Sequence, residues 1–460
     1  MSESSKRFGH IKEVLIGGAA GLGVLALIIG GFSISGGGLP TNDNASQTPT
    51  SSSSASSSAS ASPTDTRVCS VNELAIDPRL ANLAAVVIRA DTGEVLFDRN
   101  AKVAATPASV AKTITAAAAL MTLGPNYRVD TRVYSDPSEP GTIILVGGGD
   151  PTLSRTAAGV QSVYRDAPKL STLAVGVNSK MAGVPITKII LDNSLFAGPS
   201  WESSWERSEL TQGYMSEVTA LQVDGDRQNA SKETSTRSSK PVINAGNYFK
   251  RALGASASTA VVSEGKLPIT AVEIAKVSSQ PISKWITHML QVSDNTQAEY
   301  LARLVSLDMG FDGSFSSINA AFKKALAPTQ LDATGLVLKD GSGLSNNNAV
   351  SPTYVATLMK LVLDGYGDFS VIKQGLPVSG ESGSLASRFT GDNADAAGHV
   401  AAKTGWIKKG YTLGGIISAK DGTDLVFAVY ALGDVADSAK LAIDNLVTGF
   451  YRCGDTLSNN

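Results

Sequence analysis

Pro107-Ala108-Ser109-Val110-Ala111-Lys112 opens an alanine-rich run, residues 113–122, that closes at Leu123-Gly124. A proline just before the start and a glycine just past the end mark a helix. Ser109 and Lys112 stand three apart, so they share one face of it. A serine hydroxyl is a poor nucleophile without a base, and a lysine serves as that base only when burial or a neighbouring cation leaves it neutral. The helix start also presents backbone N–H groups and positive dipole density where an oxyanion would form. The pattern alone is common. Ser263/Lys266 and Ser370/Lys373 repeat it, but Ser263 precedes Gly265 and Pro268, and Ser370 precedes Gly375 and Pro377, so neither opens a long apolar helix.

Two later motifs add to the first. Ser293-Asp294-Asn295 falls between helical patterns over residues 282–292 and 296–305. A short polar turn there aims a hydroxyl and a carboxamide at one place, although the same residue types are also ordinary helix N-caps. Ser345-Asn346-Asn347 has the same Ser-x-Asn form, and composition does not choose between them. Lys403-Thr404-Gly405 occurs once, ahead of a hairpin. On a sheet edge it sets a cation beside a hydroxyl, suited to a carboxylate, with a glycine that lets another chain approach closely.

Outward from these motifs, residues 83–89 and 94–98 flank Ala90-Asp91-Thr92-Gly93, and residues 413–418 and 425–432 flank Lys420-Asp421-Gly422-Thr423. Both read as hairpins. Residues 436–451 have helical spacing through Leu441, Leu446 and Phe450. First and last segments are expected to share one antiparallel sheet with helices packed on it, an α+β fold. Residues 136–277, with short apolar runs and a polar stretch over 228–240, suggest an inserted β-rich domain, leaving 67–135 and 278–460 as the catalytic domain.

The N-terminus differs in kind. Residues 1–13 carry Lys6, Arg7, His10 and Lys12, and residues 14–34 contain no charge. A run of about 20 such residues spans a bilayer core, and the basic flank keeps the N-terminus inside. A transmembrane anchor is expected; a cleaved signal peptide is the competing reading, and both export the rest. Residues 35–66 are Ser/Thr/Pro-rich and read as a disordered stalk. The expected location is the cell membrane, with the catalytic domain outside. If so, Cys69 and Cys453 near the domain's two ends are a candidate disulfide; otherwise they are two thiols. Two cysteines and three histidines give little support for zinc, and no metal or cofactor is expected. A net charge of -2 leaves no excess of positive charge to hold a polyanion, so nucleic acid is not expected as a partner.

Ser-x-x-Lys, Ser-x-Asn and Lys-Thr-Gly in that order are the signature of penicillin-recognising serine enzymes. The chain resembles the D-alanyl-D-alanine carboxypeptidase/endopeptidases, the low-molecular-mass class C penicillin-binding proteins, over about residues 83–432. Ile144-Leu145-Val146-Gly147-Gly148-Gly149-Asp150-Pro151-Thr152-Leu153, Asp192-Asn193-Ser194-Leu195-Phe196 with Trp201 and Trp205, Asp340-Gly341-Ser342-Gly343-Leu344-Ser345 with Asn348, and Leu376-Pro377-Val378-Ser379-Gly380 with Leu385 and Phe389 look like further family blocks. The third places Ser345 in a separate element and so favours Ser293. The resemblance implies a penicillin-binding/β-lactamase-like transpeptidase domain acting on peptidoglycan stem peptides, with β-lactams as covalent inhibitors. It implies Ser109 as nucleophile, Lys112 as base, Ser293 as proton relay and Asn295 as a holder of the peptide backbone. Lys403 would supply charge that also helps keep Lys112 neutral, Thr404 would contact the carboxylate, and Gly405 completes that motif. The N–H groups of Ser109 and Trp406 would form the oxyanion hole. Trp406 departs from the family's usual threonine.

Three other readings fit less well. A Ser-His-Asp hydrolase has only His288 and His399 to draw on. A class A β-lactamase needs a glutamate in Glu-x-x-x-Asn after the second motif, and neither Glu299 nor Glu381 fits. An inactive envelope scaffold would not need all of Ser109, Lys112, Ser293, Asn295, Lys403 and Thr404.

Overall fold

The computed structural model describes residues 67–459, so the expected anchor and stalk lie outside the described residues. Along the chain, β1 (Asn82–Arg89) and β2 (Val95–Arg99) form the first hairpin, and α1 (Ala111–Thr122) follows the Ser109 turn. Next come β3 (Asp130–Ser135), β4 (Thr142–Val146), α2 (Leu170–Lys180), β5 (Lys188–Asp192), α3 (Pro241–Leu253), β6 (Val261–Glu264) and β7 (Val272–Ser278). Helices α4 (Ile282–Val292), α5 (Asn295–Asp308), α6 (Ile318–Leu326) and α7 (Pro352–Leu363) precede β8 (Val400–Ile407), β9 (Gly410–Ser418), β10 (Asp424–Leu432) and α8 (Ala439–Cys453).

The first sheet has the order β2-β1-β10-β9-β8 and is antiparallel throughout. Its inner strands are apolar on both faces because both are covered. Val86 and Ile88 join a core with Ile114 of α1, Trp285 of α4 and Leu301 of α5, while Ala85 and Val87 join a second core with Leu446 and Phe450 of α8. Leu441 departs from the expected spacing: it is 50% exposed, and Ala442, Ile443 and Val447 complete the packed stripe. Cys69 and Cys453 are joined in a disulfide, beside a parallel pairing of the two-residue strands Cys69–Ser70 and Leu457–Ser458.

The insert carries its own sheet, β6-β5-β4-β3-β7, and a third hydrophobic core. It begins at Asp130, one strand earlier than residue 136. It also holds two helices that a β-rich reading leaves out. Strands β4, β5 and β6 run parallel, and parallel neighbours need crossovers, which α2 and α3 supply. The stretch between β5 and α3 returns to the catalytic half, where Trp205, Met215 and Val218 join the first core.

Candidate active site

Ser109 lies in a 3-10 turn, Ala108–Val110, that feeds α1. Ala108 sits in the left-handed region at φ 48°. That conformation is unfavourable for a residue with a side chain and persists only where the surroundings enforce it. Three neighbours do so. A Cβ on Gly343 would stand 1.9 Å from Ala108 O, and one on Gly405 would stand 3.0 Å from Pro107 O. Thr412 Oγ1 donates to Pro107 O at 2.7 Å. The close approach expected at Gly405 is therefore to the Ser109 turn itself, and Ser109 is left half-buried between two buried neighbours.

Lys112 is fully buried, and its Nζ has three partners: Ser109 Oγ at 2.8 Å, Asn295 Oδ1 at 2.7 Å and Ser342 O at 2.7 Å. A neutral amine has two N–H bonds and one lone pair. Asn295 Oδ1 and Ser342 O accept the first two, which leaves the lone pair for the Ser109 proton. Burial brings the ammonium down to about 8, against the pull of Asp340, Glu299 and Asp294.

The Ser293-Asp294-Asn295 turn divides two tasks. Ser293, left-handed at φ 61°, ends α4, and Asp294 caps α5 by accepting from Gln297 N at 3.0 Å. The flanking side chains enter the site. Asn295 Nδ2 donates to Tyr214 O at 3.1 Å, which fixes the amide with its oxygen toward Lys112, and Ser293 Oγ accepts from Lys403 Nζ at 3.0 Å.

Lys403 is fully buried on the edge strand β8 and also donates to Thr404 O at 2.8 Å. Burial first, and the neighbouring Lys112 second, hold its ammonium far below the usual lysine range. Two buried ammoniums repel each other, so charging one opposes charging the other. Ala402 N donates outward to Pro377 O at 2.9 Å. Alternate residues of a strand share a side, so the N–H groups of Thr404 and Trp406 leave the sheet at that same edge. The Trp406 side chain is 58% exposed.

Other predicted features fall elsewhere. Ser370 and Lys373 are exposed on a short helix, and Ser263 lies on β6. Ser345 packs near Ser204, with Oγ atoms 2.6 Å apart, in the Asp340 loop. His288 Nδ1 meets Gln297 Oε1 at 2.7 Å, and His399 stacks on Tyr451 at 5.0 Å. Neither histidine is bonded to Ser109. Among the described residues no group of three or more His, Cys, Asp or Glu suits a metal ion.

Sequence reasoning missed the support behind Lys112. Glu299, four residues after Asn295 and so on the same face of α5, accepts from Gly341 N at 3.0 Å and Ser342 N at 2.7 Å. This places the Ser342 carbonyl on Lys112. Burial and the nearby Asp340 push Glu299 up to about 8. Asp340 accepts from Trp205 Nε1 at 2.8 Å and Ser345 N at 2.6 Å, so the loop is pinned from both ends. Ser384, whose Oγ is 2.7 Å from Thr404 Oγ1, was also missed. Only Glu299, set among the packed residues of α5, left a signal in the sequence; Asp340 and Ser384 lie in polar loops.

The model of the D-Ala-D-Ala carboxypeptidase 3 (S13) family matches residues 68–234 and 221–451. A carboxypeptidase of Mycobacterium tuberculosis is 33% identical over 387 residues, 83% of each chain. A D-alanyl-D-alanine carboxypeptidase of Actinomadura sp. strain R39 is 26% identical, covering 82% of each. The crystal structure of penicillin-binding protein 4 from Haemophilus influenzae superposes with a TM-score of 0.70 at 20% identity, over 81% of this chain and 96% of that one, which shows a common fold.

Proposed function

The chain belongs to the D-Ala-D-Ala carboxypeptidase 3 (S13) family, and from that membership we propose how its two buried lysines divide the reaction. It is a serine-type D-Ala-D-Ala carboxypeptidase and/or D,D-endopeptidase, acting on peptidoglycan stem peptides through an acyl-enzyme. The observation that carries the proposal is the Lys112 amine, 2.8 Å from Ser109 Oγ and with two fixed acceptors for its own protons.

Ser109 Oγ attacks the carbonyl carbon of the scissile D-Ala bond while Lys112 Nζ takes the hydroxyl proton. The oxyanion sits between the N–H groups of Ser109 and Trp406; loss of one such donor typically costs about 100- to 1000-fold in rate. Collapse breaks the C–N bond, and the proton held on Lys112 passes through Ser293 to the leaving amine. Water then attacks the ester as Lys112 takes its proton, and collapse breaks the C–O bond while Lys112 returns that proton to Ser109 Oγ. Asn295 holds the substrate's backbone.

Lys403 has no carboxylate within its hydrogen-bonded set, only Ser293 Oγ and Thr404 O. A substrate carboxylate is received by the hydroxyls of Thr404 and Ser384, beside Lys403. Penicillins, whose carboxylate and strained amide present the same pair of groups, acylate Ser109. Residues 14–34 anchor the protein in the membrane and the catalytic domain lies outside the cytoplasm; the Cys69–Cys453 disulfide supports the second of these.

The test is release of D-alanine from a pentapeptide and of monomer from a cross-linked dimer, with covalent labelling by a fluorescent penicillin. Wild type is expected to do both and Ser109→Ala neither. A folded wild type that takes no label and releases no D-alanine rejects the reading.

A further inference from the structure

Asp294 stands between two residues of the site yet takes a different set of partners. Its buried carboxylate accepts from Arg227 Nη2 at 2.8 Å and from Tyr164 OH at 3.1 Å, in addition to capping α5. Arg227 Nη1 donates to Tyr164 OH at 2.7 Å, and its guanidinium lies 4.8 Å from the centroid of that ring. Arg227 Nε donates to Glu233 O at 3.1 Å. Arg227 and Tyr164 both come from the stretch between β4 and α3, not from the segments that build the catalytic sheet. Both are buried, so neither is a surface ion-pair member of small consequence.

We propose that Arg227 is a positioning residue for acyl transfer: through Asp294, and with Tyr164, it fixes the turn that presents Ser293 to Lys403 and Asn295 to Lys112. The insert is then a working part of the catalytic unit. The proposal rests on the acyl-transfer reading above. A buried carboxylate deprived of its cation must find another partner or move, and the two flanking side chains move with it.

The electrostatics give a signature that a purely structural role lacks. The groups facing Asp294 are Arg227, Tyr164, His288 on α4 and, farther out, Arg237 and Glu233. Those facing Lys112 are Asp340, Glu299, Asp294 and Lys403. Asp294 pulls Lys112 toward its charged form, and Arg227 cancels part of that field. Removing Arg227 should therefore raise the pH at which Lys112 becomes neutral, whereas removing the Asp294 charge should lower it.

The experiment measures the second-order rate of acylation by a fluorescent penicillin against pH for wild type, Arg227→Gln, Arg227→Lys, Asp294→Asn and Tyr164→Phe. Arg227→Gln and Asp294→Asn are expected to acylate at least about tenfold more slowly, with Arg227→Lys recovering part of the loss. The acid limb should move up in Arg227→Gln and down in Asp294→Asn, each by about half a pH unit or more. Rates within about threefold of wild type, or limbs that stay put or move the same way, overturn the proposal. If Arg227→Gln does not fold, the Asp294→Asn and Tyr164→Phe profiles decide: slower acylation with a lowered limb in Asp294→Asn supports it, and wild-type behaviour in both overturns it. An unlabelled wild type instead rejects the acyl-transfer reading, and this inference with it.

Discussion

Asn295 Oδ1 and Lys112 Nζ meet at 2.7 Å across 183 residues of sequence. The contact selects the orientation of the base, because it occupies one of the two N–H bonds that a neutral lysine has. Asn295→Ala removes that acceptor and frees the amine to rotate away from Ser109. Acylation by penicillin should fall about 10- to 100-fold, the equivalent of losing one hydrogen bond to a buried polar group. Stopped-flow labelling measures it; a rate unchanged in a folded variant would show that the contact does not orient Lys112.

Lys112 must be neutral to accept a proton, and burial brings it down to about 8. In the free enzyme the neutral fraction grows as pH rises through that value. The logarithm of kcat/KM should therefore climb with a slope of about one below pH 8 and level off above it. A pentapeptide assay from acid to alkaline pH checks this. A flat profile across neutrality would mean that some other group takes the Ser109 proton.

Gly343 backs the Ser109 turn at φ 81°, where a Cβ would stand only 1.9 Å from Ala108 O. Gly343→Ala combines backbone strain with a clash against main chain that cannot swing aside. The variant should lose more than about 100-fold in acylation rate through displacement of Ser109, and should also melt lower. Calorimetry and labelling together would separate the two effects.

The Cys69–Cys453 disulfide closes a separation of 384 residues. Cys69→Ala/Cys453→Ala should lower stability by about 2–5 kcal/mol, chiefly by loosening the unfolded chain. Its neighbours belong to the core around α8, on the sheet face opposite α1, so the acylation rate in the folded variant should match wild type. Urea denaturation with and without reductant measures the first; a large loss of rate would contradict the second.

Much of the site was legible because its chemistry is written in side chains. Ser109 and Lys112 share a helix face by spacing, and the order of the three motifs tied them to Ser293 and Lys403. The second acceptor on Lys112 is the main-chain oxygen of Ser342, which no residue type announces. Glu299 and Asp340 are buried carboxyl groups whose work is to hold backbone N–H groups, and in sequence they resemble surface residues. In the fold, the two hairpins followed from alternating turns and apolar runs. Helices α2 and α3 were missed because the strands they connect are short and their parallel pairing leaves no local mark. Leu441 points to solvent because the packed stripe of α8 is built from Ala442, Ile443, Leu446, Val447 and Phe450.

The catalytic sheet takes β1 and β2 from one end of the chain and β8, β9 and β10 from the other, and the bond between Cys69 and Cys453 spans almost everything between. A protease that cuts once in any exposed loop of that interval leaves two fragments still covalently one molecule. Neither half can diffuse away, and the five strands remain together. Damage tolerance of this kind suits the placement outside the cytoplasm proposed above, where no replacement copy can be made on the spot.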